Sequence, residues 1–256
     1  MLPGFRGVTS PAPATTAPAA PAPEGSTPPR DAAVLDNPAW HALRGTHQRF
    51  ALAGGAALAY EPEISPFAAL SDDAAPSAWD DLAALVGPGA EVALTGPLTT
   101  PPDGWQVEWA GDGVQMVAVA VDAQPDPEAV VLGAADVPEM LDLVARTQPG
   151  PFRPRTVELG TYLGIRRDGR LVAMAGERVQ PPGWTEISAV CTDPDHRGQG
   201  LAARLVRAVV HGVRERGDEA ILHASSTNTG AIRLYERLGF EVRRPVRFVA
   251  VRTPAV

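Results

Sequence analysis

The chain has 256 residues, 45% of them hydrophobic, and a formal net charge of −8, so it has the apolar content to bury a core and is not globally disordered. No run approaches the roughly 18 apolar residues of a membrane-spanning helix, and residues 1–25 lack the apolar stretch of a secretory signal, so a cytoplasmic protein is expected. Cys191 is the single cysteine, which excludes an intrachain disulfide and a cysteine-built zinc site; no metal is expected.

Residues 1–30 contain 8 prolines and too little apolar surface to offset the entropy of ordering, which reads as a disordered arm. From Asp36, "DNPAWHALRGTHQRFALAGG" predicts a helix with Asn37 as cap, Pro38 in the first turn, and Trp40, Leu43 and His47 on one face. "ALAYEP" reads as a short strand, and "APSAWDDLAALVGPG" as a helix capped by Ser77 and stopped at Gly87. "EVALTG", "WQVEWA" and "GVQMVAVAV" read as three strands, and "DVPEMLDLVART" as a helix capped by Asp136. "GTYLGIRRDGRLVAMAGERVQ" is a hairpin turning at Asp168-Gly169. "WTEISAVCT" is a strand, and "GQGLAARLVRAVVHGVRERG" an amphipathic helix ended by Gly217. "EAILHAS" is a further strand, "TGAIRLYERLG" a helix ended by Gly239, and "FEVRRPVRFVAV" a terminal strand pair or one bent strand. Strand, helix and strand across 184–224 form a βαβ unit, whose strands should be parallel.

The charge is unevenly spread. Residues 1–145 hold 19 acidic side chains and 4 arginines, a balance of −15, whereas residues 146–256 hold 11 acidic side chains and 18 arginines, a balance of +7. A polyanion is therefore expected at the C-terminal part. The arginines form no dense run and the whole chain is acidic, which favours a small anionic cofactor over nucleic acid. All 22 basic residues are arginine, and with abundant Ala, Pro and Gly this reads as the codon bias of a GC-rich bacterial source.

The stretch "HRGQGLA", residues 196–202, stands where a strand gives way to a helix. A helix N-terminus offers free N–H groups and a partial positive charge. Gly198 and Gly200 leave those amides open to an anion, and Arg197 adds a full charge. The loop is not a dinucleotide fingerprint, because Ala203 stands at the third glycine position, nor a P-loop, which needs a lysine this chain lacks.

"ISAVCTDPDHRGQGLAARLV", followed by "LHASSTNTGAIRLYERLGFE", resembles the acetyl-CoA site of the GNAT superfamily of N-acetyltransferases, over roughly residues 150–250. One departure is that Asp195 fills the first slot of the phosphate loop while Arg197 lies one residue before the glycine. The resemblance implies an α/β (α+β) fold: a mixed, mostly antiparallel twisted sheet with a splayed parallel strand pair, flanked by helices. It implies acetyl-CoA as cosubstrate, with its pantetheine arm along Val190, Cys191 and Thr192 and its pyrophosphate on the amides of Arg197, Gly198, Gln199, Gly200, Leu201 and Ala202. It gives Asn228 a contact to the pantetheine arm or the thioester region and makes Tyr235, two helical turns later, the general acid for the departing thiolate.

A neutral amine must attack, so a base is expected, and Glu186 on the strand leading into the loop is the candidate. The expected function is direct acetyl transfer in a ternary complex to a primary amine on a small molecule or peptide, by a monomer or homodimer. A non-catalytic acyl-CoA-binding regulatory module is the alternative. Three regions are expected: the arm at 1–30, an N-terminal α/β domain at 31–130 and the catalytic domain at 131–256. "EISPFAALSDDAAPSAWDDLAALV" echoes "EISAVCTDPDHRGQGLAARLV", so residues 31–130 have the pattern of a degenerate second copy, without a glycine loop and with Asp72 and Asp73 set to repel phosphate.

Overall fold

The computed structural model describes residues 30–97 and 100–255, and nearly all of the expected proline-rich arm lies outside them. The first helix, α1 (Pro38–Arg44), is shorter than the sequence predicts. At Gly45 the chain turns, and the N–H groups of Gly45 and His47 both donate to the Ala42 carbonyl. The turn carries His47 into the core, where Nδ1 meets the Tyr60 hydroxyl at 2.9 Å. The stretch read as the end of that helix is instead β1 (Ala51–Gly54). Asn37 does not cap α1: its Nδ2 donates to the Leu70 carbonyl at 2.7 Å and to Asp72 Oδ1 at 2.9 Å, tying the helix start to a distant loop.

β1, β2 (Ala57–Tyr60) and β3 (Ala68–Leu70) form a small antiparallel sheet. α2 (Ala78–Val86) follows, and Ser77 makes no side-chain cap to it. β4 (Glu91–Leu94) runs parallel to the start of β3 through the bridge Phe67–Ala93. The order β3, α2, β4 thus repeats in miniature a strand–helix–strand unit found later in the chain. The two strands expected around residues 105–121 are one, β5 (Gln106–Ala118), running through Gly111 and Gly113. β6 (Val130–Leu132) and α3 (Val137–Thr147) come next. Asp136 stands at the cap position of α3, but its carboxylate accepts from the Gly133 N–H and from Arg166.

The hairpin of β7 (Tyr162–Arg167) and β8 (Arg170–Glu177) turns where predicted, with Asp168 at φ 50° and Gly169 at φ 81°. β9 (Trp184–Thr192), α4 (Leu201–Glu215) and β10 (Glu219–Ser225) form the predicted βαβ unit, and the two strands are parallel. α5 (Thr229–Leu238) ends at Gly239, φ 99°, and β11 (Phe240–Arg252) is a single strand bulged between Val242 and Arg244.

The main sheet has eight strands in the order β4-β11-β5-β10-β9-β8-β7-β6, antiparallel except for β9 and β10. β4 and β5 belong to it, and residues 130 and 131 both lie in β6. α4 packs Leu205, Val206, Val209, Val210 and Val213 on one face of the sheet against Ile165, Ala173, Ala175 and Leu222. α3 packs Met140 and Leu143 on the other face, against Tyr162, Leu171 and Met174. Ala173, Met174 and Ala175 alternate between the two faces, as a sheet covered on both sides requires, and a bulge at Val172 puts Leu171 on the face opposite Ala173.

Candidate functional site

Parallel pairing of β9 with β10 stops at Ile187–Leu222. Beyond that pair the strands part, and the β10-facing main-chain groups of residues 188–192 have no strand partner across the gap. The cause lies in β9 itself. Its register with β8 jumps from Ser188–Gly176 to Cys191–Met174, so two residues, Ala189 and Val190, oppose one. Ala189 sits in the bulge at φ 52°, the left-handed region that L-residues avoid. We expect Ala189→Val to lower stability by about 1–2 kcal/mol, because a β-branched side chain is worst there, and Ala189→Gly to be tolerated. Urea midpoints of the two variants check this.

The chain leaves β9 through Asp193, whose Oδ1 accepts from the Asp195 N–H at 3.0 Å and whose other oxygen pairs with Arg146. Gly198 and Gly200 follow at φ 78° and 74°. A Cβ added at either would meet nothing within 4 Å, so glycine is required by backbone conformation, and the space above is open. The first-turn amides of α4 face outward without intrahelical acceptors. Among the described residues, Thr192 Oγ1 and His196 Nδ1 are buried without a hydrogen-bond partner. Both belong to residues lining the cavity that opens here. Arg197 lines it too, with Nε 3.4 Å from the Thr192 carbonyl. Orphaned polar atoms beside open amides fit a phosphate- and amide-bearing ligand such as acetyl-CoA.

The cavity holds about 1190 Å³ and runs from the glycine loop through the gap between β9 and β10 to residues of the N-terminal part, among them Phe67 and Trp109. Val190, Cys191, Thr192, Arg197, Gly198, Gly200, Leu201, Ala202, Asn228 and Tyr235 all line it. Gln199 and Glu186 do not. Asn228 caps α5, its Oδ1 accepting from the Ala231 N–H at 3.1 Å. Tyr235 is 8% exposed, its ring edge-on to Phe240. Burial, with the nearby Cys191 adding to it, pushes its hydroxyl up to about 12. Burial also pushes the Cys191 thiol up to about 11, which leaves it protonated and a poor nucleophile at neutral pH.

Glu186, expected as the general base, has a different geometry. It is 2% exposed, and its two oxygens take Arg178 Nη2 at 2.6 Å and Nε at 3.1 Å. His223 Nδ1 also reaches Oε1, at 2.8 Å. Burial alone would raise this carboxyl, but the Arg178 charge and the hydrogen bonds from Arg178 and His223 outweigh it and hold it at about 2. A carboxylate so depressed has almost no affinity for a proton at neutral pH. Its partners are what meet the cavity: Arg178, stacked 4.7 Å from the Phe67 ring centre, and His223. The tautomer of His223 follows from its neighbours. Gln115 Oε1 accepts from Arg243 and Gln115 Nε2 donates to the Leu35 carbonyl, so the same amide nitrogen must donate to His223 Nε2 at 3.0 Å. The imidazole proton then sits on Nδ1, directed at Glu186.

Residues 162–249 match the family described as FR47-like protein. A solved structure of a GNAT-family protein from Novosphingobium aromaticivorans is 41% identical and superposes with a TM-score of 0.79, covering 87% of this chain and 99% of that one. The chain belongs to the GNAT family of N-acetyltransferases. A second relative supports this: N-alpha-acetyltransferase RimI of Mycobacterium tuberculosis is 32% identical over 130 residues, 81% of its length. The mycothiol acetyltransferase of Thermomonospora curvata is 38% identical over 112 residues, 41% of this chain and 36% of that protein. This GNAT chain thus aligns with little more than a third of that relative's length. The family match spans β7 to β11 and leaves out α3, β4 and β5, although β4 and β5 wall the same cavity. No helix among the described residues is long and apolar enough to cross a membrane. Sequence reasoning missed Arg178 and Trp109. Arg178 carries no motif, and the signal for Trp109 was the W-x-G-x-G spacing inside a strand.

Proposed function

We propose that the chain transfers the acetyl group of acetyl-CoA to a primary amine by direct attack in a ternary complex. The observation that carries this reading is the opening of β9 from β10 onto a glycine loop, with Tyr235 in the same cavity. Acetyl-CoA supplies a thioester. The unpaired main-chain groups of Val190 to Thr192 bind its arm, and the amides from Gly198 to Ala202, with Arg197, hold its pyrophosphate. The N–H near Val190 polarises the thioester carbonyl. Tyr235 donates a hydrogen bond to the sulfur as negative charge develops. A phenol at about 12 gives its proton to a thiolate of ordinary pKa near 8.5 only uphill, so hydrogen bonding is the larger part of its role. The acceptor ammonium loses one proton to water before attack, the nitrogen sheds a second to water as the tetrahedral adduct collapses, and the departing thiolate is reprotonated from water; Glu186 acts as a positioning residue that fixes Arg178 and His223.

The test is a panel of primary amines with detection of the free CoA thiol, beside calorimetric titration with acetyl-CoA. Gly200→Val is expected to weaken acetyl-CoA binding roughly tenfold or more, because it strains a left-handed residue and covers the amides. Wild-type acetyl-CoA affinity in that variant would remove the loop from the site. Acetyl-CoA binding without thiol release on any amine would favour the regulatory module.

A further inference from the structure

A second wall of the cavity is built by β4, β11 and β5. Their register sets Ala93, Ala250 and Trp109 in one row and Phe248 opposite Gly111 in the next. Along β11 the alternation puts Phe248 and Ala250 on the face of Trp109 and Gly111 and turns Val249 and Val251 into the N-terminal core, with Val249 also touching the cavity. Two glycines shape this wall. A Cβ at Gly111 would lie 2.5 Å from the Trp109 ring, and one at Gly113 would lie 2.6 Å from the Phe248 ring, so each indole or phenyl rests on bare backbone. Phe248 is further held edge-on by His223, with ring centres 5.8 Å apart. Trp109 nevertheless remains 55% exposed. An indole fixed in place, lining a cavity and still open to solvent is a platform that none of the described residues covers.

Charge indicates the occupant. Glu91 lines the same wall, two residues from Ala93 and on its face of β4. Its ion pair with Arg252, at 3.1 Å, joins solvent-exposed side chains, and Arg252 also pairs with Glu108, so the contact holds weakly and leaves the Glu91 carboxylate able to meet a ligand. The buried cation elsewhere in the cavity, Arg178, is already matched by Glu186. We propose that the face of Trp109, with Glu91, forms a subsite for a second cationic group on the acceptor, distinct from the amine that is acetylated. Cations bind to indole faces through the ring quadrupole, and a carboxylate on the same wall adds to that attraction.

This proposal rests on acetyl transfer being the reaction, so the experiment separates the two. Three acceptors share a four-methylene chain beside the amine and differ at the far end: agmatine ends in a cation, pentylamine in a methyl and 5-aminovalerate in an anion. The kcat/KM for agmatine is expected to exceed that for pentylamine roughly tenfold, and 5-aminovalerate to be the poorest. Trp109→Ala should erase the agmatine advantage through KM while the KM for acetyl-CoA stays unchanged, and Trp109→Phe should retain most of it. Equal kcat/KM for agmatine and pentylamine, preference for 5-aminovalerate, or an agmatine advantage that survives Trp109→Ala overturns the subsite. Should no amine be acetylated, the tryptophan fluorescence of the full chain against Trp109→Phe still decides. Saturable quenching by agmatine, lost in the variant and not given by pentylamine, upholds the subsite while the transfer reading fails. Its absence overturns the subsite as well.

Discussion

Replacing Tyr235 with phenylalanine is expected to lower kcat roughly 10²-fold while leaving the acetyl-CoA dissociation constant unchanged. The ring stays in place against Phe240, so packing is kept and only the donor hydroxyl is lost. The pH profile sharpens the test. A tyrosine of ordinary pKa begins to lose its proton near pH 10, whereas burial holds Tyr235 at about 12. The rate in the wild type should therefore rise with pH as the acceptor amine deprotonates and show no alkaline fall before about pH 11. A full rate in the phenylalanine variant would remove Tyr235 from the chemistry. Unaltered behaviour of every kind would fit a protein that binds acetyl-CoA without using it.

The second large effect is on stability. Glu186→Gln leaves the Arg178 guanidinium buried without a countercharge, and breaking such a pair from one side costs about 3–5 kcal/mol. The sign of the pH dependence follows from the depressed carboxyl. With a folded pKa of about 2, below its ordinary value of 4.5, Glu186 contributes stability that is fully present above about pH 4.5 and lost as pH falls toward 2. Urea unfolding at a series of pH values should show this acid-side loss in the wild type and a shallower one in the variant. The same variant separates positioning from base catalysis. If Glu186 took the amine proton, its removal would flatten the rise of rate with pH. For a positioning residue the rise persists at a lower level. A variant as stable as the wild type would mean that the pair is not the buried contact described above.

What was legible in the sequence was what local chemistry dictates. Asp168-Gly169 demands a tight turn, Gly217 and Gly239 end helices, and Gly198 and Gly200 mark the open loop, and each stands where expected. Tyr235 and Asn228 came through the family resemblance together with helical spacing, and both line the cavity. The illegible parts depend on partners far along the chain. Glu186 looked like an accessible base because nothing local reveals Arg178 and His223 closing on it. Gly111 and Gly113 looked like a break between two strands, because glycine is disfavoured in sheets. Only the folded structure shows two aromatic rings occupying the places their side chains would fill. α1 was read too long because His47 kept the helical spacing, while its own hydrogen bonds to Tyr60 and Leu159 draw it out of the helix.

The position of β5 between β10 and β11 bears on how the chain acquires its shape during synthesis. β5 is made more than a hundred residues before either neighbour, and must wait with both edges unpaired until β10 and then β11 leave the ribosome. Its Trp109 and Val107 are exposed even in the finished fold, so the waiting strand is an apolar ribbon open to other chains. Asp112 and Glu108, also on that strand, then act as charged gatekeepers against misassembly. Cut away at residue 131, β10 and β11 would face each other across the gap where β5 belongs.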